Sequence, residues 1–228
     1  MRTFRPAMVA LWLAACGGAA LAAQSATTSR SYRVGSFDKV AAAGPNQVIV
    51  HVGGTPSVTA RGPAETLDRM EVVIERGGLQ IRPRKQFRHD FDWRGLGPAI
   101  YTVTMPRITA ASLAGSGDMR IDRAEGERFV GSVAGSGDLD VAALHVRDAN
   151  LSMAGSGNLT ARGTAARATL SVAGSGDVHA RGVTSRTASV SIAGSGAAEL
   201  TARDSVNVSI VGSGDAVISG SARCHVSR

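Results

Sequence analysis

The sequence predicts an all-β protein, specifically a parallel β-solenoid (β-helix) with coils of about 20 residues. A Gly-Ser-Gly motif occurs six times in the second half of the chain, at 115–117, 135–137, 155–157, 174–176, 194–196 and 212–214. The steps between motifs are 20, 20, 19, 20 and 18 residues. Apolar and polar residues alternate on both sides of each motif, which is typical of strands. A helix is disfavoured, because each interior glycine would cost about 1 kcal/mol.

Each repeat is predicted to be a short strand, a bend and a second short strand. In the first repeat, residues 112–114 (SLA) precede the glycines and residues 118–121 (DMRI) follow them. Glycine suits the bend because it tolerates positive φ and leaves room for the backbone of a neighbouring coil. We therefore expect equivalent residues of successive coils to stack about 4.8 Å apart.

Residues 1–22 are predicted to be a signal peptide. A basic start (MRTFR) precedes an apolar run at 7–13 that is too short to span a bilayer, and residues 20–22 (ALA) fit a signal-peptidase site. Residues 13–17 (LAACG) also resemble a lipobox, which would leave a lipid on Cys16. Either interpretation predicts export to the periplasm, the cell surface or the medium. The lipid on Cys16 is the one membrane attachment that the sequence indicates.

The mature chain is predicted to have three parts. Residues 23–31 are rich in Ser, Thr and Ala and indicate a flexible leader. Residues 32–110 contain strand-like segments without the Gly-Ser-Gly motif, which indicates irregular coils or a cap of the solenoid. Residues 111–228 are the regular repeats.

The charge distribution argues against a nucleic-acid partner. The whole chain carries a net charge of +7, but residues 111–228 contain 11 Arg against 11 Asp plus Glu. Tracking a phosphate backbone requires a clustered basic face, which a balanced solenoid does not supply. The predicted partners are an envelope protein or a glycan.

One segment, residues 84–95 (RKQFRHDFDWRG), concentrates aromatic and basic residues. Tryptophan and arginine commonly anchor interfaces, so this segment is a candidate contact loop. An alternative is that its aromatic rings cover the apolar end of the solenoid. The candidate contact residues are Phe87, Arg88, Phe91, Trp93 and Arg94.

The sequence predicts no catalytic, cofactor-binding or metal-binding residue. Gly-Ser-Gly differs from the Gly-x-Ser-x-Gly context of a nucleophilic serine, and the five histidines lack metal-ligand spacing. Asp140 and Glu199 occupy equivalent positions but lie three coils apart, about 14 Å, which is too far for a glycosidase pair.

A column of acidic residues follows the corners. If the coils are in register, like charges stack, and either hydrogen bonds from backbone N–H groups or a bridging Ca²⁺ would offset their repulsion. The column is interrupted at Ala197. Its other members are Asp118, Asp138, Asn158, Asp177 and Asp215.

The chain resembles a bacterial family called putative auto-transporter adhesin, head GIN domain. The resemblance rests on residues 37–40 (FDKV), 44–50 (GPNQVIV) and 105–106 (MP), followed by the repeated Ala-Gly-Ser-Gly-Asp, and it covers residues 34–228. It implies a right-handed β-solenoid in an envelope protein, and the family name implies adhesion.

The function expected from the sequence is that of a non-catalytic, exported, adhesin-like binding module. Solenoids present extended surfaces, and the chain has no recognisable catalytic cluster. Two alternatives stay open at this point. One is a β-helix enzyme that acts on carbohydrates, and the other is a structural or stress-related envelope protein.

Overall fold

The computed structural model describes residues 27–87 and 96–227, which form sixteen strands, one α-helix and one short 3₁₀ helix. The predicted signal peptide and Cys16 lie outside the described residues. The elements have these bounds: β1 Thr27–Tyr32, β2 Lys39–Ala43, β3 Gln47–Val52, β4 Ser57–Pro63, α1 Ala64–Arg69, β5 Met70–Glu75, β6 Gly78–Pro83, the 3₁₀ helix Lys85–Phe87, β7 Ile100–Met105, β8 Ala110–Gly115, β9 Asp118–Ile121, β10 Ala124–Gly135, β11 Leu139–Gly155, β12 Asn158–Gly174, β13 Asp177–Gly194, β14 Ala197–Gly212, β15 Asp215–Gly220 and β16 Arg223–Ser227.

The repeats form a parallel β-solenoid, which confirms the predicted fold class. Strands β8 and β10 to β14 stack in parallel with the Gly-Ser-Gly motifs in register, so that Gly135 lies between Gly115 and Gly155. The solenoid has about six turns with a spacing of about 20 residues. The long strands bend within each turn, since their register shifts near Val141 and Thr160.

The core follows from the period-two alternation of each coil. In β11, Leu139, Val141, Leu151 and Met153 point inward and are at most 2% exposed. Equivalent residues of the next coil stack on them, as Leu159 does on Leu139. Each coil therefore buries its apolar side against its neighbours, as expected for a repeat protein.

Both glycines of each corner are required by the close approach of the coil below. A Cβ on Gly137 would lie 2.0 Å from the carbonyl oxygen of Gly117, and one on Gly135 would lie 2.3 Å from that of Gly115. Gly135 also has a φ of 129°, in the left-handed region. The Gly115 carbonyl accepts two hydrogen bonds at this corner, from the backbone N–H groups of Ser136 and Gly137 at 2.9 and 3.0 Å.

The first coil of the solenoid comes from β2 and β3, and its corner is Gly-Pro-Asn at 44–46. Strand β2 pairs in parallel with β8, and β3 pairs with β9. The stacked corners of successive coils form what we call the corner column. The backbone N–H of Gly117 donates to the carbonyl of Gly44 at 3.0 Å, so the column continues below the first Gly-Ser-Gly motif. Part of the region 32–110 is therefore a regular coil whose corner has a different sequence.

The rest of that region caps the N-terminal end of the solenoid. Strands β6 and β7 add in parallel beneath β2 and β3. Strand β5 pairs antiparallel with β6, and β4 pairs antiparallel with β7. Helix α1 connects β4 to β5, and its residue Leu67 is fully buried. The change from parallel to antiparallel pairing ends the coil series.

The expectation of a flexible leader over 23–31 is wrong for residues 27–31. They belong to β1, which pairs antiparallel with β4, and the Arg30 guanidinium forms an ion pair with Asp68 of α1 at 2.6 Å. The composition of Ser, Thr and Ala suggested a linker, but a strand edge pairs through backbone groups, whatever side chains it carries.

Candidate functional site

The predicted contact loop leaves and rejoins the structure at the cap. Phe87 is half-buried, and the Arg69 guanidinium of α1 lies 5.8 Å from its ring centre, a cation–π geometry. Arg88, Phe91, Trp93 and Arg94 lie outside the described residues. Whether the loop binds a partner stays a prediction.

Two hydrogen bonds fix the return of this loop. The hydroxyl of Thr66 donates to the Gly97 carbonyl at 2.9 Å, and the backbone N–H of Ala99 donates to Oδ1 of Asn46 at 3.0 Å. Asn46 is 2% exposed and belongs to the first corner. Residues 96–99, which follow the loop, are thus anchored between α1 and the first corner.

Two tyrosines lie inside the cap. Tyr101 of β7 is fully buried, and burial raises the pKa of its hydroxyl well above the ordinary value. The hydroxyls of Tyr101 and Tyr32 are buried with no hydrogen-bond partner among the described residues.

Three surfaces run along the outside of the solenoid, and the first begins directly after the corners. We name it the carboxylate face. It consists of the outward positions after each corner, where register stacks Asp118, Asp138, Asn158, Asp177, Ala197 and Asp215 in one row and Arg120, Asp140, Thr160, His179, Glu199 and Val217 in the next.

Hydrogen bonds between coils engage two carboxylates of the first row of the carboxylate face, the row that starts at Asp118. Oδ1 of Asp138 accepts from the backbone N–H of Asn158 at 2.9 Å and from its side-chain amide at 3.0 Å. Oδ1 of Asp177 accepts from the backbone N–H of Ala197 at 2.7 Å. These contacts match the predicted hydrogen bonding to backbone N–H groups. The described residues contain no group of three or more His, Cys, Asp or Glu that could hold a metal ion, and calcium binding here stays a prediction.

Two further acidic residues of the carboxylate face form ion pairs across coils. Asp140 pairs with Arg162 at 3.2 Å, and Glu199 lies 3.4 Å from Arg181 and 3.7 Å from His179. A shallow trough of about 360 Å³ runs along this face between Asp118 and His179. It is polar, but its carboxylates Asp138 and Asp140 are already engaged by neighbouring coils.

The second surface is a charged strip at the bends. Nε of Arg167 lies 2.8 Å from Asp148 and holds the pKa of that carboxyl below its usual range. Further ion pairs join Arg147 to Glu127 and Arg186 to Asp204. These pairs are exposed, so each contributes little to stability, but together they make this strip strongly hydrophilic.

The third surface differs from both, and we name it the Ser–Ala face. It is built from the outward positions of the strand that leads into each corner. Register aligns its three rows: Ala110, Val130, Asn150, Thr169, Ser189 and Asn207; Ser112, Ser132, Ser152, Ser171, Ser191 and Ser209; and Ala114, Ala134, Ala154, Ala173, Ala193 and Val211.

No side chain in these three rows is charged, and most are small. Six coils at about 4.8 Å and four residues at about 3.3 Å give a lattice about 24 Å long and 13 Å wide. Its area is about 310 Å². The face therefore offers rows of hydroxyl and methyl groups at regular spacing.

The repeated serines and alanines are visible when the sequence repeats are aligned, but the face they form is not. Sequence reasoning placed the candidate contact in the 84–95 loop because aromatic and basic residues are the usual signal of an interface. The signal that identifies the Ser–Ala face is negative: the three outward positions before every corner carry no charge through six repeats.

The family match settles the classification. Residues 36–222 match the family described as putative auto-transporter adhesin, head GIN domain. This chain belongs to that family. Membership indicates an adhesin-like protein that is exported or displayed at a surface. No curated protein matches the chain.

Solved structures share the fold at low sequence identity. A putative adhesin from Bacteroides fragilis NCTC 9343 is 21% identical, with a TM-score of 0.76 over 88% of this chain and 96% of that one. A putative adhesin from Parabacteroides distasonis ATCC 8503 is 19% identical, with a TM-score of 0.69 over 90% and 94%. A putative lipid binding protein from the same organism is 20% identical, with a TM-score of 0.66 over 89% and 97%.

No helix among the described residues is long and apolar enough to cross a membrane.

Proposed function

We propose that this head GIN domain protein is a non-catalytic binding module of the cell envelope whose Ser–Ala face attaches to a neutral, extended glycan. The observation that carries the proposal is the absence of charge on a flat surface of six coils, beside two other faces lined with ion pairs. A module that binds an extended polymer needs an accessible surface with repeated contacts along its length, and this face has both properties.

The chemistry of the face suits a neutral sugar polymer. Each hydroxyl of Ser132, Ser152 or Ser171 can both donate and accept a hydrogen bond, which matches the hydroxyl groups of a sugar. The methyl groups of the neighbouring alanine row can contact the C–H surfaces of sugar rings. An anionic polymer would instead be attracted to clustered basic residues, which this face lacks.

A binding role is better supported than catalysis. The acidic residues that a polysaccharide-cleaving β-helix would use are spread along the carboxylate face and engaged in pairs such as Asp140 with Arg162. Asp140 and Glu199 lie in the same row of the carboxylate face but three coils apart. A catalytic site would need two or three such groups converging on one sugar.

Attachment to the envelope would follow from one of two processing routes. Cleavage after Ala22 would release the chain to the periplasm or the medium, whereas acylation of Cys16 would tether it to a membrane. A tethered chain would hold the cap toward the membrane, since β1 joins the chain at the cap. The Ser–Ala face would then run away from the membrane along the solenoid axis.

Co-sedimentation with insoluble polysaccharides tests the proposed ligand. The purified protein is incubated with cellulose and chitin as neutral probes, with pectate beads as an anionic probe, and with anionic phospholipid vesicles. We expect it to bind a neutral probe, and we expect binding to be unchanged between low and high NaCl because no charge pair is involved. Binding confined to pectate or to the vesicles would contradict the proposal.

Two substitutions in the same strand assign the binding to one face. Ala154 and Ala142 are both exposed residues of β11, but only Ala154 belongs to the Ser–Ala face. We expect Ala154→Arg to weaken binding at least 10-fold by placing a bulky charge in the lattice. Ala142→Arg, the matched control, should bind like the unmodified protein. Equal loss in both variants, or in neither, would refute the assignment to this face.

A further inference from the structure

The C-terminal end of the solenoid has two strand edges with no partner among the described residues. Strand β15 pairs in parallel with the first part of β14, and β16 pairs with its last part. Within residues 27–87 and 96–227, no strand pairs with the outer edge of either. Such edges present rows of N–H and C=O groups that favour addition of another strand.

Apolar positions of the interior are also exposed at this end. Register places Val226 over Val208 and Cys224 over Val206, so both side chains continue core rows. Val226 is nevertheless 53% exposed, whereas Val208 beneath it is 5% exposed. The opposite end of the solenoid differs, because α1 and the antiparallel strands cover it. Leu67 of α1 is fully buried there.

The two free edges complement each other under a two-fold rotation. Strand β15 runs away from the corner column and β16 runs toward it. A two-fold axis through the corner column, perpendicular to the solenoid axis, therefore lays β15 of one copy antiparallel to β16 of the other. The same rotation also lays β16 of the first copy antiparallel to β15 of the second. The backbone N–H and C=O groups of all four edges are then paired, as an isologous interface requires.

The side chains agree with this rotation. Equal distances from the corner place Ile218 opposite Val226 of the second copy. Both belong to core rows, since Ile218 stacks on Leu200 and Val226 on Val208. The outward residues then meet as Val217 with Ser227, with no opposed charges. A shift of one residue would bring core rows opposite outward rows, so the alternation fixes the register.

We propose that this protein forms a tail-to-tail dimer in which the β15 and β16 edges of two copies pair antiparallel and close the C-terminal ends of both solenoids. The result is a rod with a cap at each end. Each rod carries two Ser–Ala faces. The dimer does not depend on the ligand of those faces.

Measurement of molar mass tests the proposal through two exposed aliphatic residues at opposite ends of the solenoid. Light scattering after size-exclusion chromatography should give twice the monomer mass for the unmodified protein. Val226→Lys places a charge in the buried seam, and we expect it to raise the dissociation constant at least 100-fold. Ile100 is also exposed, at 43%, but lies in β7 at the capped end of the solenoid. Ile100→Lys should therefore leave the dimer intact.

Disulfide trapping tests the register. In a Cys224→Ser background, Val217→Cys and Ser227→Cys are made in separate chains, mixed and exposed to air oxidation. Directly opposed residues of an antiparallel pair are close enough for a disulfide. We expect the mixture to give a cross-linked dimer and each variant alone to give little.

Three results would overturn the proposal. They are a monomeric unmodified protein at the highest soluble concentration, a Val226→Lys variant that stays dimeric, and cross-linking that is equal in the mixture and in the single variants. An unmodified protein that is dimeric but binds neither neutral probe would instead count against the proposed function alone.

Discussion

Replacing the second glycine of a corner by alanine should strongly destabilise the protein, because the new methyl group would collide with the backbone of the neighbouring coil. In Gly157→Ala, the new Cβ would lie 2.0 Å from the carbonyl oxygen of Gly137, where such contacts are essentially never shorter than 3.0 Å. The difference of 1.0 Å must be taken up by the backbone, since the contacted atom belongs to the neighbouring coil.

The magnitude follows from the hydrogen bonds at that corner. The carbonyl of Gly135 accepts from Ser156 at 2.8 Å and from Gly157 at 3.2 Å, and a displacement of about 1 Å removes both from bonding range. Two lost hydrogen bonds at about 1 kcal/mol each and about 1–3 kcal/mol of overpacking give about 3–5 kcal/mol. For a domain of this size, that lowers Tm by about 6–20 °C.

Thermal unfolding followed by circular dichroism measures the effect. Gly35→Ala is the control, because a Cβ at Gly35 meets nothing within 4 Å. Its Tm should stay within about 2 °C of the unmodified protein, the effect of an ordinary surface substitution. A Gly157→Ala variant that melts with the control would refute the argument that contact between stacked backbones selects glycine.

Two further perturbations test the acidic column and the cap. Asp177→Ala removes the acceptor of the Ala197 N–H and should lower the free energy of unfolding in urea by about 1 kcal/mol. Asp215→Ala, at the exposed end of the same row, should lower it by less than about 0.5 kcal/mol. Equal losses in the two variants would contradict the cross-coil hydrogen bond. Tyr101→Phe should stabilise the protein above about pH 10. Burial raises the pKa of Tyr101 in the folded state, so the hydroxyl ionises first in the unfolded chain and stability falls as pH rises through the unfolded pKa. Base titration of both proteins at a fixed urea concentration checks this, and coincident alkaline transitions would contradict the assignment.

The cap shows why part of the fold could not be read from the sequence. Strand β1 is made of Ser, Thr, Arg and Tyr residues, and its pairing with β4 depends on backbone groups that any sequence supplies. The order of coils is similarly hidden. Strands β2 and β3 lie between β6–β7 and β8–β9, although the chain visits β6 and β7 later than β3. Local alternation indicates strands but does not state which neighbour each will join.

The sequence also predicted one candidate contact surface, the 84–95 loop, whereas the second, the Ser–Ala face, emerged only from the structure. Aromatic and basic residues made the 84–95 loop the expected contact, and only Phe87 of its five candidates lies in the described part of the chain, against Arg69 of the cap. The Ser–Ala face carries no residue that attracts attention alone. The face is uncharged because small uncharged side chains from six coils lie side by side, and they do so only once the coils are stacked.

The sequence by itself determined the repeat length, the glycine corners and the inward alternation, because each recurs as a local pattern in every coil, with positive φ at the first glycine and burial of every second side chain. Tertiary structure alone decided how residues far apart in the chain share one surface. Hydrogen bonding between coils sets Ser132 beside Ser152, converts a periodic sequence into a flat lattice, and leaves the β15 and β16 edges at its end.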